Sequence, residues 1–227
     1  MKVIEPPNIE FPDTRAFFTG KLPPGKDIYE IVSGQCGISR DSIYLPVQRH
    51  TTTAYVLETE SERVVADAVI TGRKGVLIGV LVADCVPVLL YDPLKRVAGA
   101  VHAGWRGTAG GILKGTVRAM QERFGCSAGD ILAAIGPSIR GCCYEVGEDV
   151  RAGIQEATGS GDYFRRHGDK YLLDLATANK IQAVVAGIPG ENIWQAGECT
   201  FCNPDKFHSY RYTKGTAGRQ GGFIGIW

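Results

Sequence analysis

Long apolar runs, blocks of like charge, repeats and low-complexity tracts are all missing from this 227-residue chain. Each absence removes a class of function. The most apolar stretch, GVLIGVLVA at 75–83, stops at Asp84 and is too short to span a bilayer, so no membrane-spanning segment is expected. Basic residues number 25 and acidic ones 24, with no Lys/Arg cluster to track a phosphate backbone, which excludes nucleic acid as the main ligand. A Gly-rich loop after the first strand is also lacking, which disfavours a doubly wound nucleotide-binding fold. The opening MKVIEPPNIEFPD has no apolar core and two early prolines, and does not read as a signal peptide. The seven cysteines are therefore expected to be thiols or metal ligands in a reducing, cytoplasmic compartment rather than disulfides. Histidine and methionine are scarce, at four and two residues.

What is present is ordinary globular material. With 44% hydrophobic and 22% charged residues, the chain has apolar area for one large core, and residues 1–227 are expected to form a single domain. Turn signals such as Pro6-Pro7 and Pro23-Pro24-Gly25 crowd the first 50 residues. A short helix is expected within 26–36, on Ile28, Ile31 and Val32. Runs rich in β-branched and aromatic residues predict strands at 43–48, 54–57, 64–70 and 97–102. The continuous 75–83 run predicts a strand buried on both faces, and Pro87 predicts a strand end, an edge or a bulge beside Cys85. Thr108 is expected to cap a helix carrying Leu113, Val117, Met120 and Phe124, ended by Gly125. A strand at 131–135, helices at 148–157 and 174–186 (the latter capped by Asp174), and strands at 192–196 and 222–226 complete the reading. Strands and helices do not alternate regularly, so the fold class expected is α+β with large mixed or antiparallel sheets.

Three residues at the ends of expected strands stand out: His50 after IYLPVQ, Cys85 after GVLIGVLVAD, and His102 after VAGAV. One thiolate and two imidazoles are a donor set that holds zinc and leaves a fourth position for water. Zinc there would acidify that water to a pKa of about 7 and act as a Lewis acid. From spacing alone, a buried small thiol and hydrogen-bonded histidines remain equally open readings. Asp84, a carboxylate closing an apolar strand, needs a partner, either as acceptor from a ligating imidazole or as a structural cap. Gly99, Gly104 and Gly107 around His102 permit close backbone approach. Trp105 and Arg106 in the same turn offer a stacking face and an anion anchor.

The segments ADCVPVLLYDP, VAGAVHAGWRGTAGGIL, IGPSI, YEVGEDV, DLATAN and SYRYTKGTAGRQGGFI together resemble the laccase-domain family. Its members are also called multicopper polyphenol oxidoreductase-like proteins, and purine nucleoside phosphorylases of that type. The resemblance runs from about residue 45 to the C-terminus, and the pairing of ADC with HAGWRG carries most of its specificity. It implies a zinc site made of His50, Cys85 and His102, the residues already singled out. It further implies a sandwich of two β-sheets with helices outside, a four-layer α-β-β-α arrangement. The implied activity is phosphorolysis of adenosine, inosine and methylthioadenosine to free base and ribose 1-phosphate, together with deamination of adenosine. The first motif departs from the family's Q-V-H-G, with Arg49 and Thr51 flanking His50, and residues 17–45 lack an S-L-N-L-G-like loop and an Asn-Arg pair. On this reading Cys85, His102, His50 and Asp84 are the catalytic residues. Arg106 and Arg49 bind substrate or phosphate, with Arg140, Arg211 and Arg219 as further anion candidates. The partners are a purine nucleoside and phosphate, and the assembly is a monomer or a homodimer.

Two rivals stand beside this reading. One is a metal-free cysteine hydrolase or deamidase, with Cys85 as nucleophile and His102 as base. The other, a copper polyphenol oxidase, is disfavoured because four histidines cannot furnish a blue copper and a trinuclear cluster, with only Met1 and Met120 as axial thioethers. Cys199 and Cys202 form a C-x-x-C pair, but no second such pair accompanies it. They are read as ordinary thiols, with Cys142, Cys143 and Cys126 as structural ones.

Overall fold

A computed structural model describes residues 2–23, 25–59, 62–216 and 218–227; Met1 and Pro24, named above, lie outside the described residues. Its architecture is the expected α+β arrangement in four layers. One sheet runs in the order β1 (Val3–Ile4), β2 (Thr14–Thr19), β14 (Gln220–Ile226), β6 (Val76–Val82), β3 (Ile43–Tyr44). The second runs β13 (Ile193–Gln195), β9 (Leu132–Ile135), β7 (Val86–Asp92), β8 (Val97–Ala103), β5 (Ala68–Thr71), β4 (Ala54–Val56). A small third sheet holds β10 (Glu145–Val146), β12 (Lys170–Leu173) and β11 (Phe164–His167). Helix α1 (Ile28–Cys36) covers the outer face of the first sheet, while α3 (Ile112–Phe124), α4 (Glu148–Thr158) and α5 (Leu175–Val185) cover that of the second. The single-turn α2 (Trp105–Ala109) follows β8.

The side-chain alternation of a strand sorts this sandwich into three apolar layers. In β7, Val86, Val88 and Leu90 meet α3 and α5, while Leu89 and Tyr91 point at the other sheet. In β6, Ile78 and Val80 fill the space between the sheets, and Leu77 packs with Val32 of α1 and Phe223. The apolar 75–83 run is thus buried on both faces, as read. Asp174 caps α5 by accepting from the Thr177 N–H at 3.1 Å.

Several expectations fail in instructive ways. Thr108 caps nothing: it lies buried inside α2 and accepts from Asn179 Nδ2, and Gly111, at φ +73, opens α3 instead. Of the readings for Pro87 the strand end holds and the edge does not: β7 begins at Val86 and lies centrally between β8 and β9. The run 64–70 pairs fully only from Ala68, and 43–48 only at Ile43–Tyr44 with a bridge from Val47 to Val65. Strands β1, β2, β7, β10, β11 and β12 have no counterpart in the sequence reading.

The consequence for function lies between β6 and β7. These strands belong to different sheets, and only residues 83–85 join them. The ADC segment is the chain's crossing from one layer to the other, and it places Cys85 at the mouth of the sandwich.

Candidate metal centre

His50, Cys85 and His102 come from three separate parts of the chain and meet: their donor atoms all lie within 4.8 Å of one another. Cys85 Sγ is 3.8 Å from His50 Nε2, and the two imidazoles stand edge to face with centroids 4.8 Å apart. His102 is 4% exposed and sits in β8, where its backbone N–H is held by the Asp67 carbonyl at 2.7 Å. His50 lies on a loop rather than at a strand end, in a left-handed conformation at φ +58. Gln48 docks that loop by exchanging two hydrogen bonds of 2.8 Å with the Leu81 backbone in β6.

The residue that organises the centre is one the sequence reading passed over. Asp67 is fully buried. Its carboxylate accepts from the backbone N–H groups of Arg49, His50 and Thr51, from the Thr51 hydroxyl, and from His102 Nδ1 at 2.7 Å. Burial opposes its charge, but these donors prevail and hold its carboxyl well below the ordinary range. With Nδ1 engaged, His102 presents Nε2 to Cys85, which is how a ligating histidine is usually set. Asp67 was findable: it interrupts the strand-like VVADAVI, and the argument that Asp84 needs a partner applies to it equally.

Asp84 serves as the structural cap. Held at φ +85, it accepts from the Thr200 hydroxyl at 2.6 Å and from the Arg211 backbone N–H at 2.7 Å, and its carbonyl takes the Ile139 N–H. It thereby ties three loops around Cys85, and Asp67 is the carboxylate that orients His102. Two left-handed non-glycine residues, His50 and Asp84, flank the centre. Such strain is kept at functional sites where the surroundings over-determine it.

The donors fit a tetrahedral ion such as zinc, whose bond lengths of 2.0–2.3 Å would set them roughly 3.5 Å apart. Gly104 keeps that space open. A Cβ there would fall 2.9 Å from His50 Cδ2 and 3.1 Å from Cys85 Sγ. Without an ion the three residues act on one another. Burial would raise the Cys85 thiol, yet the adjacent imidazoles bring it down to about 6. Burial would lower His102, yet Asp67 and Cys85 push it up to about 9.

The centre lies at a cavity of about 680 Å³, within the range of small-molecule sites. Arg106 lines it, with its guanidinium 4.3 Å over the Trp105 ring. Arg211, Arg219, Arg63, Tyr144 and Tyr210 also line it, and Arg211 stacks over Tyr144 at 5.1 Å. Arg49 is not among the lining residues; it is exposed and contributes its backbone N–H to Asp67. Arg140 is also elsewhere, paired with Asp174 at 2.9 Å. Met120 is buried in the helical layer on α3, away from the donors. Cys199 and Cys202, read as ordinary thiols, and Cys142 and Cys143, read as structural ones, also converge within 4.8 Å. No helix among the described residues is long and apolar enough to cross a membrane.

Comparison with known proteins gives the chain a family and relatives of the same fold. The family model described as multi-copper polyphenol oxidoreductase laccase matches residues 26–227, reaching further toward the N-terminus than the motifs do. The purine nucleoside phosphorylase YlmD of Bacillus subtilis is 38% identical over 162 residues, covering 70% of this chain and 58% of that protein. The adenosine deaminase RL5, from an unknown prokaryotic organism, is 35% identical over 206 residues, covering 85% and 78% respectively. The crystal structure of YlmD from Geobacillus stearothermophilus matches with a TM-score of 0.89 at 29% identity, covering 97% of this chain and 93% of that one. The chain spans 58–59% of the length of the YlmD sequences it matches.

Proposed function

The chain belongs to the multi-copper polyphenol oxidoreductase laccase family, and from that premise we propose that it is a zinc-dependent purine nucleoside enzyme. Its reaction is phosphorolysis of adenosine, inosine or methylthioadenosine to free base and ribose 1-phosphate, with deamination of adenosine as a second activity. The observation that carries this reading is the His50–Cys85–His102 cluster opening onto a nucleoside-sized cavity lined by arginines. Relatives named purine nucleoside phosphorylase and adenosine deaminase support it. An odd count of seven cysteines, spread without a staple-like pattern, suits a cytoplasmic setting.

His50 Nε2, Cys85 Sγ and His102 Nε2 would hold the ion, which supplies Lewis acidity and water acidified to near neutrality. Asp67 fixes the His102 tautomer and, through three backbone N–H groups, the loop that carries His50. Asp84 fixes the turn beneath Cys85. Trp105 and Tyr144 offer flat faces to a purine. In phosphorolysis a phosphate oxygen bonds to ribose C1′ as the bond to the base nitrogen breaks and its electron pair enters the purine. Arg106 and Arg211, which line the cavity, would hold the attacking anion, and their charge would act strongly in a partly dehydrated site.

The test is chromatography of zinc-loaded protein incubated with inosine and phosphate, and separately with adenosine. Hypoxanthine from the first and inosine from the second are expected; neither product overturns the substrate assignment, and inosine binding without turnover would make the chain a nucleoside-binding protein.

One observation favours a second reading: Cys85 is brought down to about 6 beside His102, as in cysteine hydrolases. Metal content separates the two, because a stoichiometric ion lost in Cys85→Ala is incompatible with a free nucleophile. Two imidazoles and a thiolate are also the trigonal set of a blue copper site, but a multicopper oxidase needs a trinuclear cluster as well, and the other two histidines do not supply one. His167 bonds Glu145, and the His208 backbone pairs with Gln220, so neither adds to the cluster among the described residues.

A further inference from the structure

We propose that Cys142, Cys143, Cys199 and Cys202 form a second, closed metal site that takes one thiophilic ion, zinc, and pins two loops of the cavity wall together. The proposal stands independently of the nucleoside reading. The two pairs lie on different turns, after β9 and after β13, yet all four sulfurs are within 4.8 Å of one another. Cys202 Sγ is 3.2 Å from Cys143 Sγ and 3.6 Å from Cys142 Sγ. A tetrahedral ion with Zn–S arms of 2.3 Å sets its sulfurs about 3.8 Å apart, inside this spread. A multi-iron cluster would separate them by its own breadth, and a disulfide would consume only two of the four.

The backbone is arranged for thiolates. The Arg140 N–H points at Cys199 Sγ at 3.4 Å, and a second backbone hydrogen bond comes from Cys202. Such N–H donors stabilise charge on sulfur. The turns are registered to each other by a parallel bridge between Ser138 and Cys199, with the Thr200 N–H donating to the Ser138 carbonyl at 3.0 Å. Four thiolates this close repel one another, and a divalent cation among them compensates that charge.

What the site would pin is specific. Cys199 and Cys202 bracket Thr200, whose hydroxyl holds Asp84 next to Cys85. Cys143 precedes Tyr144, which lines the cavity. The ion would position the pocket wall without touching substrate.

The experiment is elemental analysis of untagged, full-length protein together with two variants. Wild type should carry two zinc ions per chain, Cys85→Ala one, and Cys199→Ser/Cys202→Ser one. Cobalt-loaded Cys85→Ala should show the intense visible bands of a tetrahedral all-thiolate site, absent from the double variant. If the double variant does not fold, thiol titration of Cys85→Ala decides: four cysteines should become reactive only after a chelator is added. A Cys85→Ala protein without metal, or a native chain two hydrogens lighter through a disulfide within this group, overturns the proposal. So does a double variant with the metal content of wild type.

Discussion

The molecule gathers metal-capable side chains twice, and the two clusters differ in nearly every respect. His50, Cys85 and His102 are mixed donors at a cavity, braced from behind by a buried carboxylate, with a glycine keeping room beside them. Cys142, Cys143, Cys199 and Cys202 are all sulfur, joined by two turns, with backbone N–H groups as their braces. An open three-donor set leaves a position for a reacting molecule, and a closed four-sulfur set does not. Under the two proposals above, the same local chemistry would serve reaction in one place and rigidity in the other, and the deciding feature is whether the fold leaves a coordination position facing a cavity.

Thiol reactivity sharpens this contrast most. In metal-free protein the Cys85 thiol lies at about 6 and that of Cys142 at about 11, raised chiefly by burial. At pH 7 their thiolate fractions should differ by about four orders of magnitude. A depressed thiol pKa leaves thiolate above that value and removes it below. Alkylation of Cys85, followed by peptide mass spectrometry, should hold its rate down to about pH 6 and then fall, while Cys142 should still be gaining rate at pH 9. Equal reactivity would erase the distinction.

Activity comes next. Cys85→Ala should lower inosine phosphorolysis by about 10³-fold or more, the several kcal/mol a Lewis acid supplies, with near-wild-type thermal stability. Asp67→Asn should weaken zinc at the open site by about 10–100-fold, the usual effect of losing a ligand's brace. The tetrathiolate ion should stay in place, as zinc competition with a chromogenic chelator would show. Gly104→Ala leaves an ordinary φ of −72 but crowds His50 and Cys85. Overpacking of that kind should cost about 1.4 kcal/mol, the lower part of its usual range, or roughly tenfold in zinc affinity, by the same assay. The smallest effect is expected for Arg49→Ala, within about 0.5 kcal/mol and with KM for phosphate unchanged, because only the backbone of Arg49 is used.

Much of the architecture was legible because it rests on local pattern. The doubly buried β6, the helical spacing of Leu113, Val117 and Met120, the Gly125 stop and the Asp174 cap are each set by residues close in sequence. Pro87 was legible as a strand end, but β7 after it was missed because a proline argues against a central strand; it stands second in that strand, with its carbonyl still accepting from the Gly136 N–H at 2.9 Å. The hairpin of β11 and β12 was hidden because FRRH and KYLL lack alternation and are partly exposed. At the site, the three donors were visible as chemistry out of place beside apolar strands. Asp67 was not, since its partners come from a loop and from β8 and no spacing in its own strand announces them.

Residue identity alone determined that the chain would build a layered α+β core and that two imidazoles and a thiol would sit beside its strands, because burial and periodicity are properties of short segments. Only the tertiary structure decided that Asp67 rather than Asp84 braces the histidine, that Arg49 lends its backbone and not its charge, and that two distant cysteine pairs become neighbours. Those outcomes depend on which loops the two sheets bring face to face, and convergence across a sandwich leaves no mark on any one stretch of sequence.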